Sequence, residues 1–314
     1  FDANEIDEVR ARLLAKTVAT DGEASQADPQ IAAFEATSAP AAAPAAVAGL
    51  VGNPGTAHMQ VARAIRESLP EAVVMAGRHA QSARALLLAL ALDEKPDARE
   101  RQKRFIAAQL SAEVAAMVGA LEGEIDKLQP EQRMPALLRV VPALRQLTRE
   151  ERMQLMSCLN AMLQQEGRMS LHSYVLRKLA QVQLRDDLTP AARPRQLSLE
   201  AVCADAQVLF SVLAQHGHQS EVAARRAYEA GMHRLFPRER PAYATPANWA
   251  RPLDVALSRL DQVAPVAKEQ LVEAMVETVT HDQRLTIGEA ELLRAVCASI
   301  HCPLPPLTVG QALA

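Results

Sequence analysis

Thr148-Arg149-Glu150-Glu151 reads as a helix start. A threonine hydroxyl ahead of the first turn can accept a free backbone N–H. A glutamate three residues on can reach back to the threonine's own N–H, so two of the donors every helix start leaves open are satisfied reciprocally. Thr286-Ile287-Gly288-Glu289 repeats the device. Further signals recur along the chain. Pro70 suits a first helical turn, Asp97 precedes a long segment to about Ala120, and Ser198 and Ser220 are N-cap candidates. The last helix should stop before Cys302-Pro303, because the residue before proline is pushed out of the helical region. From Thr56 onward alanine and leucine dominate, and no period-2 stretch of useful strand length is present. The reading is all-α, a multi-helix bundle in two related halves.

Composition narrows the function classes. Of 314 residues, 49% are hydrophobic and 23% charged, which is a globular balance with room for a substantial core. Gly numbers only 12 and aromatics 3%, against an all-β sandwich or barrel. A net charge of −3 gives no overall electrostatic footprint for nucleic acid or anionic lipid. The basic run Arg99, Arg101, Lys103 and Arg104 is broken by Glu100 and lacks interleaved aromatics, so it reads as a solvated helix face. The longest strong apolar run, Ala85 to Leu92, falls far short of the ~20 residues of a membrane span. Cys158, Cys203, Cys297 and Cys302 form no C-x-x-C pair and read as small buried residues in a reducing compartment. The chain begins at Phe1 with no signal-peptide pattern, so a longer parent protein is expected.

Four segments follow. Residues 1–19 carry Ile6, Val9, Leu13, Leu14 and Val18 at the spacing of a short amphipathic helix. Residues 20–55 include Thr37-Ser38-Ala39-Pro40-Ala41-Ala42-Ala43-Pro44, whose prolines and small side chains predict a flexible linker. Residues 56–189 and 190–314 form the two helical halves, with the Pro-rich Leu188 to Pro194 at their border. A weak internal repeat relates them. Gly167-Arg168-Met169-Ser170-Leu171 resembles Gln283-Arg284-Leu285-Thr286-Ile287 at an offset of 116 residues, and each copy reads as helix, tight polar turn, capped helix.

The chain lacks the marks of the best-signposted enzymes. No His is followed by Glu, so the H-E-x-x-H pair of a zinc protease is missing. There is no G-x-S-x-G elbow, no Walker A loop and no G-x-G-x-x-G. His216 and His218 are two apart and point away from each other on a helix; with Gly217 between them they read as solvated loop residues. Cys297, His301 and Cys302 fall short of the four ligands of a structural zinc site, and read as a core cysteine beside a histidine at a helix C-terminus. The sharpest candidate is the pair Asp282 and Glu289, two carboxylates flanking one turn that could approach a divalent cation. The competing reading, preferred here, makes Glu289 the third residue of the capping box and Asp282 a turn-stabilising Asx residue.

Several stretches in order resemble the region after the catalytic domain of bacterial HtpX-like membrane zinc metalloproteases. They are Leu86-Leu87-Leu88-Ala89-Leu90, Gln132-Arg133-Met134-Pro135-Ala136-Leu137-Leu138, Val141-Pro142-Ala143-Leu144-Arg145, and Leu163 through Leu176 with Tyr174. Phe1-Asp2 is similar to the exit of such a protease domain. The ending, Asp282-Gln283-Arg284-Leu285-Thr286 with Glu289, Leu292-Leu293-Arg294 and Cys302-Pro303-Leu304-Pro305-Pro306, is similar to TerB-like helical modules of the tellurite-resistance type. TerB-like turns usually read Asp-Gly with a Glu seven after the Asp. The first copy here has Glu166 and Ser173 at those positions, and the second has Gln283 for the Gly.

The resemblance implies a parent with membrane helices and a zinc protease domain, on the cytoplasmic side of a bacterial inner membrane, of which this chain is the soluble tail. Zinc is then expected in the absent protease domain, and no cofactor in this chain. No catalytic residue carries over. The expected function is non-catalytic: regulation, substrate recruitment or assembly. The expected partners are the parent's own protease and membrane regions, with protein substrates or a homo-oligomer possible and nucleic acid not expected. A TerB-like divalent-cation sensor using Asp282 and Glu289 is the alternative, and a free-standing hydrolase with an unmarked site is a third.

Overall fold

The computed structural model describes residues 38–40, 44–52, 55–165, 169–184, 196–305 and 307. The amphipathic helix expected over 1–19, the linker up to residue 37 and the Pro-rich border at 188–194 lie outside them. The described chain is all-α, with fourteen helices and one two-stranded ladder. In chain order the first elements are β1 (Ser38–Pro40), α1 (Pro44–Ala48), α2 (Thr56–Glu67), α3 (Glu71–Ala76) and α4 (Ala80–Leu90). Next come α5 (Pro96–Gln109), α6 (Ala112–Ile125), α7 (Pro130–Leu144), α8 (Arg149–Gln164) and α9 (Leu171–Leu184). A 3₁₀ turn at Glu200–Val202 leads into α10 (Cys203–Gly217), α11 (Glu221–Leu235), α12 (Ala250–Leu260) and α13 (Pro265–Val279). β2 (Arg284–Thr286) and α14 (Ile287–Ser299) follow.

The apolar run read in the sequence becomes the axis of the first cluster. Every residue of α4 from Ala83 to Leu90 is buried, between α6 and α7. Apart from Arg84, which donates to Gln81, this stretch is apolar all round and so belongs in an interior, and each leucine so placed is worth about 1.5–3 kcal/mol of burial. The second cluster is built on α10, which packs against α11, α12 and α13. Between them lie α9 and α14, the two helices that follow the repeated turns, and these pack directly on each other. Their starts use the same device. Ser170 Oγ accepts from the Ser173 N–H at 3.0 Å, and Thr286 Oγ1 from the Glu289 N–H at 3.1 Å. One apolar core runs from Val47 to Leu304 through both clusters.

One expectation needs adjustment. The stretch 38–52 falls in the expected linker, yet Ser38–Pro40 pairs antiparallel with Arg284–Thr286, with Ala39 opposite Leu285. Pro44 then opens α1, whose Val47 and Ala48 are buried against α13. Proline at a helix start costs no hydrogen bond, and one valine and one alanine give a short helix enough apolar surface to dock. α14 ends ahead of Cys302-Pro303, as expected. It stops three residues before Cys302, and His301 takes φ 58°. His301 N–H donates to Ala298 O at 3.3 Å and Cys302 N–H to Cys297 O at 2.8 Å. That is a Schellman closure with histidine where glycine is usual.

Candidate functional site at the α10–α14 junction

The end of α10, the turn at 280–286 and the start of α14 converge. Glu289 stands at the centre, only 2% exposed. Its Oε2 accepts from the Thr286 N–H at 2.6 Å while Thr286 Oγ1 accepts from the Glu289 N–H, so the capping box read in the sequence is formed. Its Oε1 is turned against Gly217 and makes no hydrogen bond among the described residues. A Cβ on Gly217 would lie 2.5 Å from that oxygen. Burial pushes the Glu289 carboxyl up to about 7; the bonds from Thr286 pull the other way, and the nearby Asp282 charge adds to the rise.

Asp282 stays at the surface. Its Oδ1 accepts from the Arg284 N–H at 3.0 Å, the Asx arrangement expected of it. Gln283 beside it has φ 63°, the left-handed conformation that a glycine would adopt freely. The structure thus brings the two predicted carboxylates near each other, with one tied inward as a cap and the other outward in the turn. Among the described residues, no three His, Cys, Asp or Glu side chains gather in a way that could hold a metal ion.

The two histidines are not the solvated loop pair the sequence suggested. α10 continues through Gly217, so His216 sits in its last turn, edge-on to Trp249 with ring centres 4.5 Å apart. Burial pushes His216 down to about 4, so it is neutral at physiological pH. His218 caps the helix with Nδ1 3.2 Å from Ala214 O, and its ring lies 6.3 Å from that of His281. Burial lowers His218 as well, against the opposing pull of Ala214 O and Asp282. His301 reaches Asp261, 2.8 Å from Nδ1 to Oδ1, while Cys297 is fully buried and its thiol is pushed up by burial. The Cys297–His301–Cys302 group is therefore a core cysteine plus a histidine held at the surface by Asp261.

A second polar cluster escaped the sequence reading. Asp254 on α12 accepts from Tyr174 OH at 3.1 Å, Arg177 Nη2 at 2.8 Å and Lys178 Nζ at 2.9 Å, all from α9. Burial works to raise the Asp254 carboxyl, and the two cations outweigh it and hold it below the ordinary range. The signal present in the sequence was half of the cluster: Tyr174, Arg177 and Lys178 share one helical face at i, i+3 and i+4. Deeper in, Arg133 Nε donates to His172 Nε2 at 3.2 Å, and burial together with the Arg133 charge pushes His172 down to about 3. These groups join helices and are enclosed by them.

Comparison of the chain with family models, curated proteins and solved structures gave no match. No helix among the described residues is long and apolar enough to cross a membrane.

Proposed function

We propose that this chain is a non-catalytic helical module of a bacterial HtpX-like membrane zinc protease, serving regulation, substrate recruitment or assembly on the cytoplasmic face. The resemblance supplies the parent. The observation that carries the choice of a scaffold over a sensor is the orientation of Glu289. Its Oε2 and backbone N–H are spent on the Thr286 cap, and its carboxylate is folded inward beneath Gly217. A carboxylate used this way holds the junction together. In this reading the zinc and the catalytic machinery belong to the protease domain.

Two measurements test the proposal. Epitope-tagged chain bound to detergent-solubilised bacterial membranes should retain a peptidase carrying H-E-x-x-H, identified by mass spectrometry and lost on competition with untagged chain. The purified chain should leave casein intact with zinc present, and its thermal melt should be unchanged by a chelator. Zinc-dependent cleavage by the chain itself would overturn the reading.

The cation sensor keeps one supporting observation: Glu289 Oε1 is buried without a hydrogen-bond partner among the described residues. Calorimetric titration with calcium, magnesium and manganese decides it. Micromolar binding lost in Asp282→Asn would put the sensor first.

A further inference from the structure

Among the described helices of twelve or more residues, α2 alone has no described apolar side chain fully buried. Its Met59 is 59% exposed. This face forms one wall of an open groove of about 600 Å³, through Met59, Ala62, Arg63 and Arg66. The opposite wall is α7, through Pro135, Leu138, Arg139 and Pro142. Both walls run i, i+3, i+4, i+7, so each presents a straight ridge of two turns, roughly 10 Å long. Pro142 has no N–H, which leaves the Leu138 carbonyl on that wall without its helical donor.

The groove is apolar in its walls and cationic at several points. Arg66 and Arg139 make no hydrogen bond or ion pair among the described residues, and Arg63 pairs with Glu67 at 2.7 Å. From α14, Arg294 reaches into the groove with only 5% exposure. Its Nη2 lies 2.9 Å from Glu291 Oε2, yet neither Nη atom has an aligned hydrogen bond among the described residues. Four guanidinium groups therefore line the cleft; no described lining residue is a carboxylate, and Glu67 and Glu291 stand beside Arg63 and Arg294.

We propose that this groove binds an acidic amphipathic helix of a partner protein. Ridges at i±3 and i±4 spacing on two neighbouring helices leave a channel into which the ridge of a third helix fits. Helix-in-groove recognition uses apolar anchors at i, i+3, i+4 and i+7, which Met59, Ile65 and Leu138 are placed to receive. Carboxylates flanking that stripe would meet Arg66 and Arg139, and one projecting inward would supply Arg294 with aligned acceptors. The groove is built from α2, α7 and Arg294 of α14 and shares no residue with the Glu289 cap, and the proposal holds whether or not the parent is a protease.

The test uses the full chain and a fluorescein-labelled sixteen-residue helical peptide with leucines at i, i+3, i+4 and i+7 and glutamates between them. Fluorescence anisotropy should show saturable binding, weakened at least tenfold by Arg66→Glu with Arg139→Glu, and at least fivefold by the separate variant Met59→Lys. Met59 and Arg66 are exposed and Arg139 is half-buried, and circular dichroism melts should match the parent chain. A peptide with lysine for glutamate, and one broken by a central proline, should each bind at least tenfold more weakly. Equal binding of the acidic and basic peptides, equal binding of the broken one, or no binding at millimolar peptide would overturn the proposal. Two other occupants would also overturn it. One is a second copy, seen as a sedimenting dimer split by Arg66→Glu. The other is the chain's own residues 1–19, seen if that synthetic peptide displaces the probe at equal affinity.

Discussion

Replacing Glu289 by glutamine separates what this residue does as a cap from what it costs as a charge. The amide oxygen of the variant can still accept the Thr286 N–H, since glutamine also serves as the third residue of a capping box. What disappears is the ionisable group. The native environment raises the carboxyl from 4.5 to about 7, so the folded state holds the proton more tightly than the unfolded chain. Below pH 4.5 both states are protonated and the full stability is present. Between about 4.5 and 7 the unfolded chain ionises first, and stability falls as pH rises through the folded value. Each tenfold difference in proton affinity between the two states is worth about 1.4 kcal/mol, so the loss across that window is on the order of 3 kcal/mol. The glutamine variant escapes it. Its stability relative to the parent chain should therefore improve by about 2–3 kcal/mol on going from pH 5 to pH 8. Urea unfolding followed by circular dichroism at both pH values gives the four free energies required. Other titrating groups cancel in the difference between the variants. If that difference is the same at pH 5 and pH 8 within about 0.5 kcal/mol, Glu289 is not a strained buried carboxylate and the account of the junction fails. If calcium at pH 8 stabilises the parent chain and not the variant, the cation sensor gains what the scaffold loses.

Gly217→Ala should destabilise the chain by about 1–2 kcal/mol in urea unfolding, because the new Cβ displaces Glu289 Oε1; paired with Glu289→Ala the same change should be close to neutral. Gly231→Ala, in the interior of α11, should cost about 2–3 kcal/mol, since its Cβ would collide with Thr278 Oγ1 and crowd Phe210 and the Ala274 carbonyl; a gain of about 1 kcal/mol, normal for this change in a helix, would refute the close α11–α13 contact. Gln283→Gly should stabilise by about 0.5–1 kcal/mol, a rise in melting temperature of one to three degrees, because an exposed side chain with φ 63° gives up left-handed strain. Asp254→Ala should lose about 3 kcal/mol or more by leaving Arg177 and Lys178 largely buried without their carboxylate, and much less if Arg177 and Lys178 find water.

Local signals carried the fold class. The boxes at Thr148 and Thr286 both form, Ser220 caps α11 by accepting from the Ala223 N–H at 3.2 Å, and α14 ends ahead of Pro303 as the rule for residues before proline requires. Each depends on atoms within a few residues of each other, so the sequence contains both partners. The Asp254 cluster was not legible for the opposite reason. Its donors lie 76 to 80 residues away on α9, and periodicity tells which face of a helix is polar without telling which helix it will meet. The docking of Val47 and Ala48 on α13 is the same kind of fact.

The α10–α14 junction shows how a correct local rule can be overruled by a distant residue. Glycine after a run of helical residues usually means a stop, so Gly217 made His216 and His218 look like loop residues. Gly217 is instead the last residue of α10, and its missing side chain makes room for the Glu289 carboxylate from seventy-two residues further along. The consequences are chemical. With the helix carried one residue further, His216 lies against Trp249 and stays neutral, while His218 turns towards His281 and Asp282. The carboxylate, in turn, is buried by the close approach that the glycine permits, and that burial raises it towards neutrality. Glycine at 217, the cap at 286 and the proton on Glu289 are therefore one linked arrangement. A substitution at any of the three should move the pH dependence of stability, and that dependence distinguishes a junction built for packing from one built to bind a cation.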